Sequence, residues 1–127
     1  MRVVDTAAWI ECLKGSKFGR VMANELPMPA DWLIPTIVQL ELVRWASREA
    51  GEEKADEIVG FTMTECVVVP LDTPIAIAAA ELGARYKLAT ADAIIYGTAL
   101  AHNADLLTCD RHFENLPSVR YFPKPTA

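Results

Sequence analysis

Five short, apolar, β-rich runs alternate along the chain with stretches that carry helical signals. The runs are RVVD (2–5), DWLIP (31–35), CVVVPL (66–71), DLLTCD (105–110) and VRYF (119–122). Strands that alternate with helices predict an α/β domain with a central, mostly parallel β-sheet flanked by α-helices. The length of 127 residues fits one such domain.

Six helices are predicted between and around these runs. We expect them at about 6–13, 17–25, 36–50, 52–63, 73–86 and 90–104. Thr36 and Gln39 form a predicted capping box, and Thr73 and Thr90 are predicted to cap the last two helices. The three adjacent valines of CVVVPL predict a strand buried on both faces. The segment IAIAAAEL predicts a helix buried on several sides.

Composition and charge exclude several classes of protein. The net charge of −5 argues against a general nucleic-acid coat or a polybasic membrane patch, although an enzyme with a local basic rim remains compatible with it. Cys12, Cys66 and Cys109 form no C-x-x-C pair, so we expect free thiols in a reducing cytosol. We find no signal peptide, and the longest apolar run, at 75–80, is too short to cross a bilayer. The sequence therefore predicts a soluble, cytoplasmic protein with no membrane partner.

Four acidic residues lie where a lone charge is poorly accommodated. Asp5 and Asp110 end two predicted strands, and the carboxyl ends of parallel strands meet at the sheet edge where ligands bind. Glu41 lies between Ile37 and Trp45 on one helical stripe, and Asp92 begins a largely apolar helix face.

A cluster of these acids would require a cation. Two like charges about 4 Å apart repel by about 4 kcal/mol at an effective dielectric of about 20. Carboxylate ligands suit Mg²⁺ or Mn²⁺, and such a centre activates water for phosphodiester hydrolysis. Taken singly, Asp5 also fits a helix N-cap, Asp92 a partner for the helix dipole and Asp110 a turn residue. Glu41 is the acid that such local roles explain least well.

Three segments carry a resemblance to a known family. They are VVDTAAWI at the start, ELVRWA after a strand–Pro–Thr entry, and TADAIIYGTALAHNADLLTCDRHF near the end. Through them the chain resembles the PIN-domain ribonucleases, and most closely the VapC-type toxins of toxin–antitoxin pairs. The family's four acids correspond to Asp5, Glu41, Asp92 and Asp110, and its supporting hydroxyl residues correspond to Thr6 and Thr108.

The resemblance implies a function, a cofactor and partners. It implies a PIN-like nuclease domain at 1–122, followed by a flexible C-terminal tail at 123–127. It also implies an endoribonuclease dependent on Mg²⁺ or Mn²⁺, in which the first three acids hold a metal and Asp110 completes the cluster. Such toxins usually form homodimers, and a cognate VapB-like antitoxin covers the acidic pocket with its C-terminal segment.

Two histidines and two arginines lie outside the set of four acids. His102 and His112 fit no zinc-binding spacing and are expected to be surface or capping residues. A contact of His112 with RNA is the alternative, because this residue closely follows Asp110. Arg44 and Arg111 are candidates for contacts with RNA phosphates.

Three rival functions remain open from the residues. A phosphoaspartyl enzyme of the haloacid-dehalogenase type needs D-x-D after the first strand, where this chain has Ala7. A receiver-like signalling module needs paired acids at the first strand and a lysine at the end of a late one, and neither is found here. A catalytically silent domain that only binds a partner is opposed, but not excluded, by the four intact acids.

Overall fold

The computed structural model describes residues 1–126, which fold around one five-stranded parallel sheet. The strands are β1 Arg2–Val4, β2 Trp32–Pro35, β3 Val67–Val69, β4 Asp105–Thr108 and β5 Val119–Tyr121. The helices are α1 Thr6–Lys14, α2 Lys17–Ala23, α3 Thr36–Ala50, α4 Glu52–Glu65, α5 Thr73–Tyr86 and α6 Thr90–Ala101, with 3₁₀ turns at Pro29–Asp31 and Arg111–Phe113. The predicted α/β fold with a parallel sheet flanked by helices is therefore confirmed.

The strand order β3-β2-β1-β4-β5 puts the first strand at the centre. Val3 pairs with Leu33 of β2 on one side and with Leu106 of β4 on the other. The order reverses at β1, since the chain first builds outward to β3 and then returns to β4. In open α/β sheets this reversal creates a crevice at the carboxyl ends of the strands, where ligands bind.

The core is built from the apolar residues of the strands and from one stripe of each helix. Val4, Leu106 and Leu107 are fully buried at the centre of the sheet. Trp9 of α1 packs against Trp32 of β2 with ring centroids 4.7 Å apart. The contact between the two tryptophans fixes α1 on the sheet. Because α1 starts at Thr6, directly after β1, its first residues lie at the carboxyl end of that strand.

The capping predictions were wrong at three helix starts. The hydroxyl of Thr36 accepts a hydrogen bond from the backbone N–H of Leu71 at 3.4 Å, and the Gln39 amide donates to Thr62, so the two residues form no capping box. Asp72, not Thr73, caps α5 by accepting from the backbone N–H of Ile75. No side-chain bond caps α6, where Ala89 takes the N-cap position.

Two burial predictions were also wrong. β3 is an edge strand that pairs only with β2, so Val67 is exposed and the strand is not buried on both faces. In α5 only Ile75 and Ala79 are buried, whereas Ile77 is 62% exposed. The apolar surface of α5 is therefore largely open to solvent in a single chain.

The last described residues lie outside the regular secondary structure. Residues 123–126 of the predicted tail carry no helix or strand, and Ala127 lies outside the described residues. Among the described helices, none has both the length and the apolar character that crossing a membrane requires.

Candidate active site

Asp5 leaves β1 at the carboxyl edge of the sheet and is almost completely buried, with 3% of its surface exposed. The Thr108 hydroxyl donates a hydrogen bond to Asp5 Oδ2 at 2.7 Å, and the backbone N–H of Asp110 donates to that same hydroxyl at 3.0 Å. Although Asp5 occupies the N-cap position of α1, its side chain makes no capping bond. Its carboxylate is therefore held by β4, and capping does not account for it.

Glu41 enters the same region from α3. The Thr6 hydroxyl donates a hydrogen bond to Glu41 Oε1 at 2.6 Å and so connects the first residue of α1 with α3. Both predicted supporting threonines thus bind a carboxylate of the predicted set. Each hydroxyl fixes the position of one carboxylate oxygen.

Asp92 and Asp110 lie close to each other, and the charges of both act on Asp5. Asp92 is in the first turn of α6, and Asp110 directly precedes the 3₁₀ turn that follows β4. His112 is beside both of them, because its Nδ1 is 2.9 Å from Asp110 Oδ1 and 4.0 Å from Asp92 Oδ2. One donor atom from each of the three residues lies within 4.8 Å of the other two.

The pKa values of two acids report how strongly the cluster disfavours charge. Burial, followed by the nearby charges of Asp92 and Asp110, raises the pKa of Asp5 to about 7, although the Thr108 hydroxyl opposes this rise. Burial and the charges of Asp110 and Glu41 raise the pKa of Asp92 to about 6, against an opposing effect of His112. Four carboxylates from distant parts of the chain therefore act on one another at one end of the sheet.

Comparison with known protein families identifies the family. A profile of the PIN domain matches residues 2–119, a range that contains all four of them. The chain belongs to the PIN domain family. No curated protein matches the sequence.

Solved structures with the same fold come from several bacteria. A toxin–antitoxin complex from Klebsiella pneumoniae has 23% identity and a TM-score of 0.80, covering 94% of this chain and 96% of that one. VapC20 of Mycobacterium tuberculosis, described as a toxin that cleaves the sarcin–ricin loop, has 18% identity and a TM-score of 0.75, covering 94% and 97%. FitAcB of Neisseria gonorrhoeae has 20% identity and a TM-score of 0.71, covering 97% of each chain. At these identities the likeness establishes a shared PIN fold.

The donor set of this PIN domain fits a divalent cation. Neighbouring carboxylates raise one another's pKa values, and a hard dication stabilises their ionised form by binding to their oxygen atoms. Asp92, Asp110 and an imidazole nitrogen of His112 are the donors that the structure brings within 4.8 Å of one another. Asp5 and Glu41 lie outside this group but are near enough to interact with it through charge, and they could complete the donor set. Sequence spacing gave no sign of this histidine, because D-x-H matches no zinc motif and becomes a cluster only through the 3₁₀ turn.

An open cavity of about 730 Å³ lies beside the acidic cluster of the PIN domain. It is lined by Ala7, Cys109, Asp110, Arg111, His112, Glu114 and Lys124. Arg111, one of the two arginines predicted to contact RNA, therefore lies at the site, while Arg44 is exposed on α3 and is not among the described lining residues. Lys124 was missed because it belongs to a segment predicted to be a loose tail.

Proposed function

We propose that this PIN domain is an endoribonuclease dependent on Mg²⁺ or Mn²⁺ and acts as the toxin of a type II toxin–antitoxin pair. The observation that carries the proposal is the convergence of Asp5, Glu41, Asp92 and Asp110, in which the pKa of the buried Asp5 reaches about 7. A fold that needs these acids only for stability would not place four of them where each one destabilises its neighbours. The solved toxin structures of the same fold support the biological role.

The chemistry of the proposal assigns a task to each residue. A bound dication would neutralise the cluster and activate a water molecule for attack on phosphorus. Asp5, Glu41 and Asp92 hold the cation, and Asp110 completes the cluster. Thr6 and Thr108 keep two of these carboxylates in place by the hydrogen bonds of 2.6 and 2.7 Å. One carboxylate of the set accepts the proton of the attacking water.

The substrate side of the site is the cavity of about 730 Å³. Arg111 lies next to Asp110 on its wall, and we assign to it a contact with an RNA phosphate that flanks the bond to be cut. Arg44, three residues after Glu41 on the exposed side of α3, is the second candidate for such a contact. A wall of mixed charge suits this task, since the acids hold the cation and the guanidinium groups bind the substrate.

Two surfaces of the proposed toxin suit partner proteins: the cavity beside the acidic cluster and the exposed apolar surface of α5. A VapB-like antitoxin would cover the cavity with its C-terminal segment and place a basic side chain among the carboxylates. A homodimer would cover the exposed apolar surface of α5 and of the loop before it, where Ile77 is 62% and Leu71 is 44% exposed. Residues 1–122 form the proposed nuclease domain, with 123–127 as its tail, and a cytoplasmic location remains a prediction.

RNA cleavage by the purified protein tests the proposed activity. We expect cleavage of total RNA with Mg²⁺ or Mn²⁺ and none with a chelator, and a loss of about a hundredfold or more in Asp92→Asn and Glu41→Gln. Asp56→Asn is the matched control, because Asp56 is exposed on α4 and lies outside the cluster. Equal cleavage with metal and with chelator, or full activity of Asp92→Asn, would show that the cluster is not the active site. A stable acyl phosphate on Asp5 would instead indicate phosphoaspartyl or receiver-like chemistry.

A further inference from the structure

His112 meets the carboxylate pair of Asp92 and Asp110 at distances that suit a shared cation. Its Nδ1 is 2.9 Å from Asp110 Oδ1 and 4.0 Å from Asp92 Oδ2. In an octahedral site with bonds of about 2.1 Å, neighbouring donor atoms are about 3.0 Å apart and opposite ones about 4.2 Å. The three donor atoms lie within 4.8 Å of one another, so they are close enough for all three to be ligands of one cation.

The fold holds the backbone of His112 in this position. Asp110 Oδ1 accepts a hydrogen bond from the backbone N–H of His112 at 2.9 Å, which begins the 3₁₀ turn Arg111–Phe113. Phe113 is fully buried and packs against Tyr96 of α6 with ring centroids 6.0 Å apart. The turn is thus anchored to the helix that carries Asp92, and the imidazole is placed beside that residue and Asp110.

The imidazole of His112 is accessible to a ligand from solvent. Its side chain is 72% exposed, and the contact of Nδ1 with Asp110 Oδ1 at 2.9 Å, not packing, directs it toward the acids. Its Nδ1 approaches the cluster, while the ring lines the cavity of about 730 Å³. A nitrogen donor also differs in kind from the carboxylates, because imidazole favours transition-metal ions whereas Mg²⁺ favours oxygen donors.

We propose that His112 is a nitrogen ligand of the cation site and gives this PIN domain a preference for transition-series dications over Mg²⁺. The proposal rests on the assignment of the acids as the cation site under the proposed function and adds the residue that sets metal selectivity. Mn²⁺ and Co²⁺ are the probes, since a nitrogen ligand increases affinity along this series and Mg²⁺ gains little from it. His112 thus acts through the cation, beside any contact that it makes with RNA.

Metal binding to the purified, folded protein tests this directly, without RNA. Titration calorimetry should show that His112→Asn weakens Co²⁺ and Mn²⁺ binding on the order of tenfold and changes Mg²⁺ binding much less. His102→Asn is the matched control, because His102 ends α6 and its Nδ1 meets the backbone carbonyl of Thr98 at 3.0 Å. Its metal affinities should equal those of the wild type. Pulsed electron spin resonance of the Mn²⁺ complex should show coupling to an imidazole nitrogen that disappears in His112→Asn.

The outcomes separate this proposal from the proposed function. If His112→Asn leaves all three affinities unchanged and no nitrogen coupling is seen, His112 is not a ligand. A rise in the KM for RNA alone would then identify it as a substrate contact, which also overturns the proposal. In either case Asp92→Asn should still weaken metal binding. If it does not, the acidic cation site of the proposed function is the part that fails.

Discussion

Replacing Asp5 by asparagine tests how strongly the acidic cluster, in the presence of chelator, disfavours a charge on this buried side chain. The side chain is 3% exposed, and its pKa rises from 3.8 to about 7 because of burial and of the neighbouring acids. One pKa unit corresponds to about 1.36 kcal/mol, so ionised Asp5 costs the folded protein about 4 kcal/mol. An acid whose pKa is raised in the folded state makes the protein less stable as the pH increases from its unfolded value to its folded value, here from 3.8 to about 7.

Asparagine cannot ionise, so it removes this pH dependence. Integrating the two proton-binding curves between pH 5 and pH 8 gives a wild-type loss of about 2 to 3 kcal/mol that Asp5→Asn does not share. The stability of the variant relative to the wild type should therefore increase by that amount over this interval, whatever its absolute stability is. The amide oxygen can still accept the Thr108 hydroxyl bond, so the local geometry has a means of surviving.

Urea unfolding in the presence of chelator measures this difference. The buried Trp9 and Trp32 provide the fluorescence signal, and Asp56→Asn, an exposed control on α4, should stay within about 0.5 kcal/mol of the wild type at both pH values. A gap between Asp5→Asn and the wild type that is the same at pH 5 and pH 8 would refute the argument, because it would mean that Asp5 is not a costly charge in the folded protein.

Three further predictions concern the neighbours of Asp5 and the packing of the helices. Asp92→Asn should raise or barely change the melting temperature without metal, because it relieves the repulsion between the acids. Mn²⁺ should raise the melting temperature of the wild type more than that of the variant. A large loss of stability without metal would instead assign Asp92 a structural role. Thr108→Val removes a buried hydroxyl that serves both Asp5 and the Asp110 backbone, so unfolding in chelator should show a loss of about 1 to 3 kcal/mol, and an unchanged stability would contradict the hydrogen-bond relay. Gly19→Ala should destabilise the protein, because a Cβ there would lie 2.0 Å from the Glu11 carbonyl oxygen. Gly60→Ala is the control, since a Cβ there meets open space, and it should be neutral or stabilising by up to about 1 kcal/mol. Equal effects of the two substitutions in thermal melts would show that α1 and α2 do not pack this closely.

Strands and helices were predictable where an apolar run is followed by a residue that typically ends such an element. β1 and β4 follow from apolar runs that end on a carboxylate, and α1 ends at Gly15, which adopts a left-handed backbone with φ of 68°. The helix caps were less predictable. The Thr36 hydroxyl was expected to cap its own helix, but it accepts a hydrogen bond from the backbone N–H of Leu71 in the loop before α5. The exposure of α5 could not be read from its apolar composition, since that surface faces solvent in a single chain.

Asp5 and Asp110 could be expected near each other because parallel strands deliver their carboxyl ends to one edge of the sheet. Glu41 and Asp92 lie on helices, and their proximity to the strand-end acids is seen in the charge effects on the pKa values of Asp5 and Asp92. The catalytic role of the four acids remains a prediction that the experiments above test. His112 could not be found in the same way, because its proximity to Asp92 depends on a 3₁₀ turn and on the packing of Phe113 against Tyr96. Lys124 was missed for a similar reason, since composition alone does not say where a terminal segment returns to the domain.

The chemistry of the cut RNA ends tests most directly whether the acidic cluster directs water to phosphorus. RNA cleaved by the purified protein with Mn²⁺ in ¹⁸O-labelled water should carry a simple phosphate end with one solvent oxygen, and a substrate with a single 2′-deoxyribose at the cleavage site should still be cut. Ends that carry a 2′,3′-cyclic phosphate, together with complete resistance of the 2′-deoxy substrate, would show that the RNA supplies its own nucleophile and would contradict hydrolysis at this site.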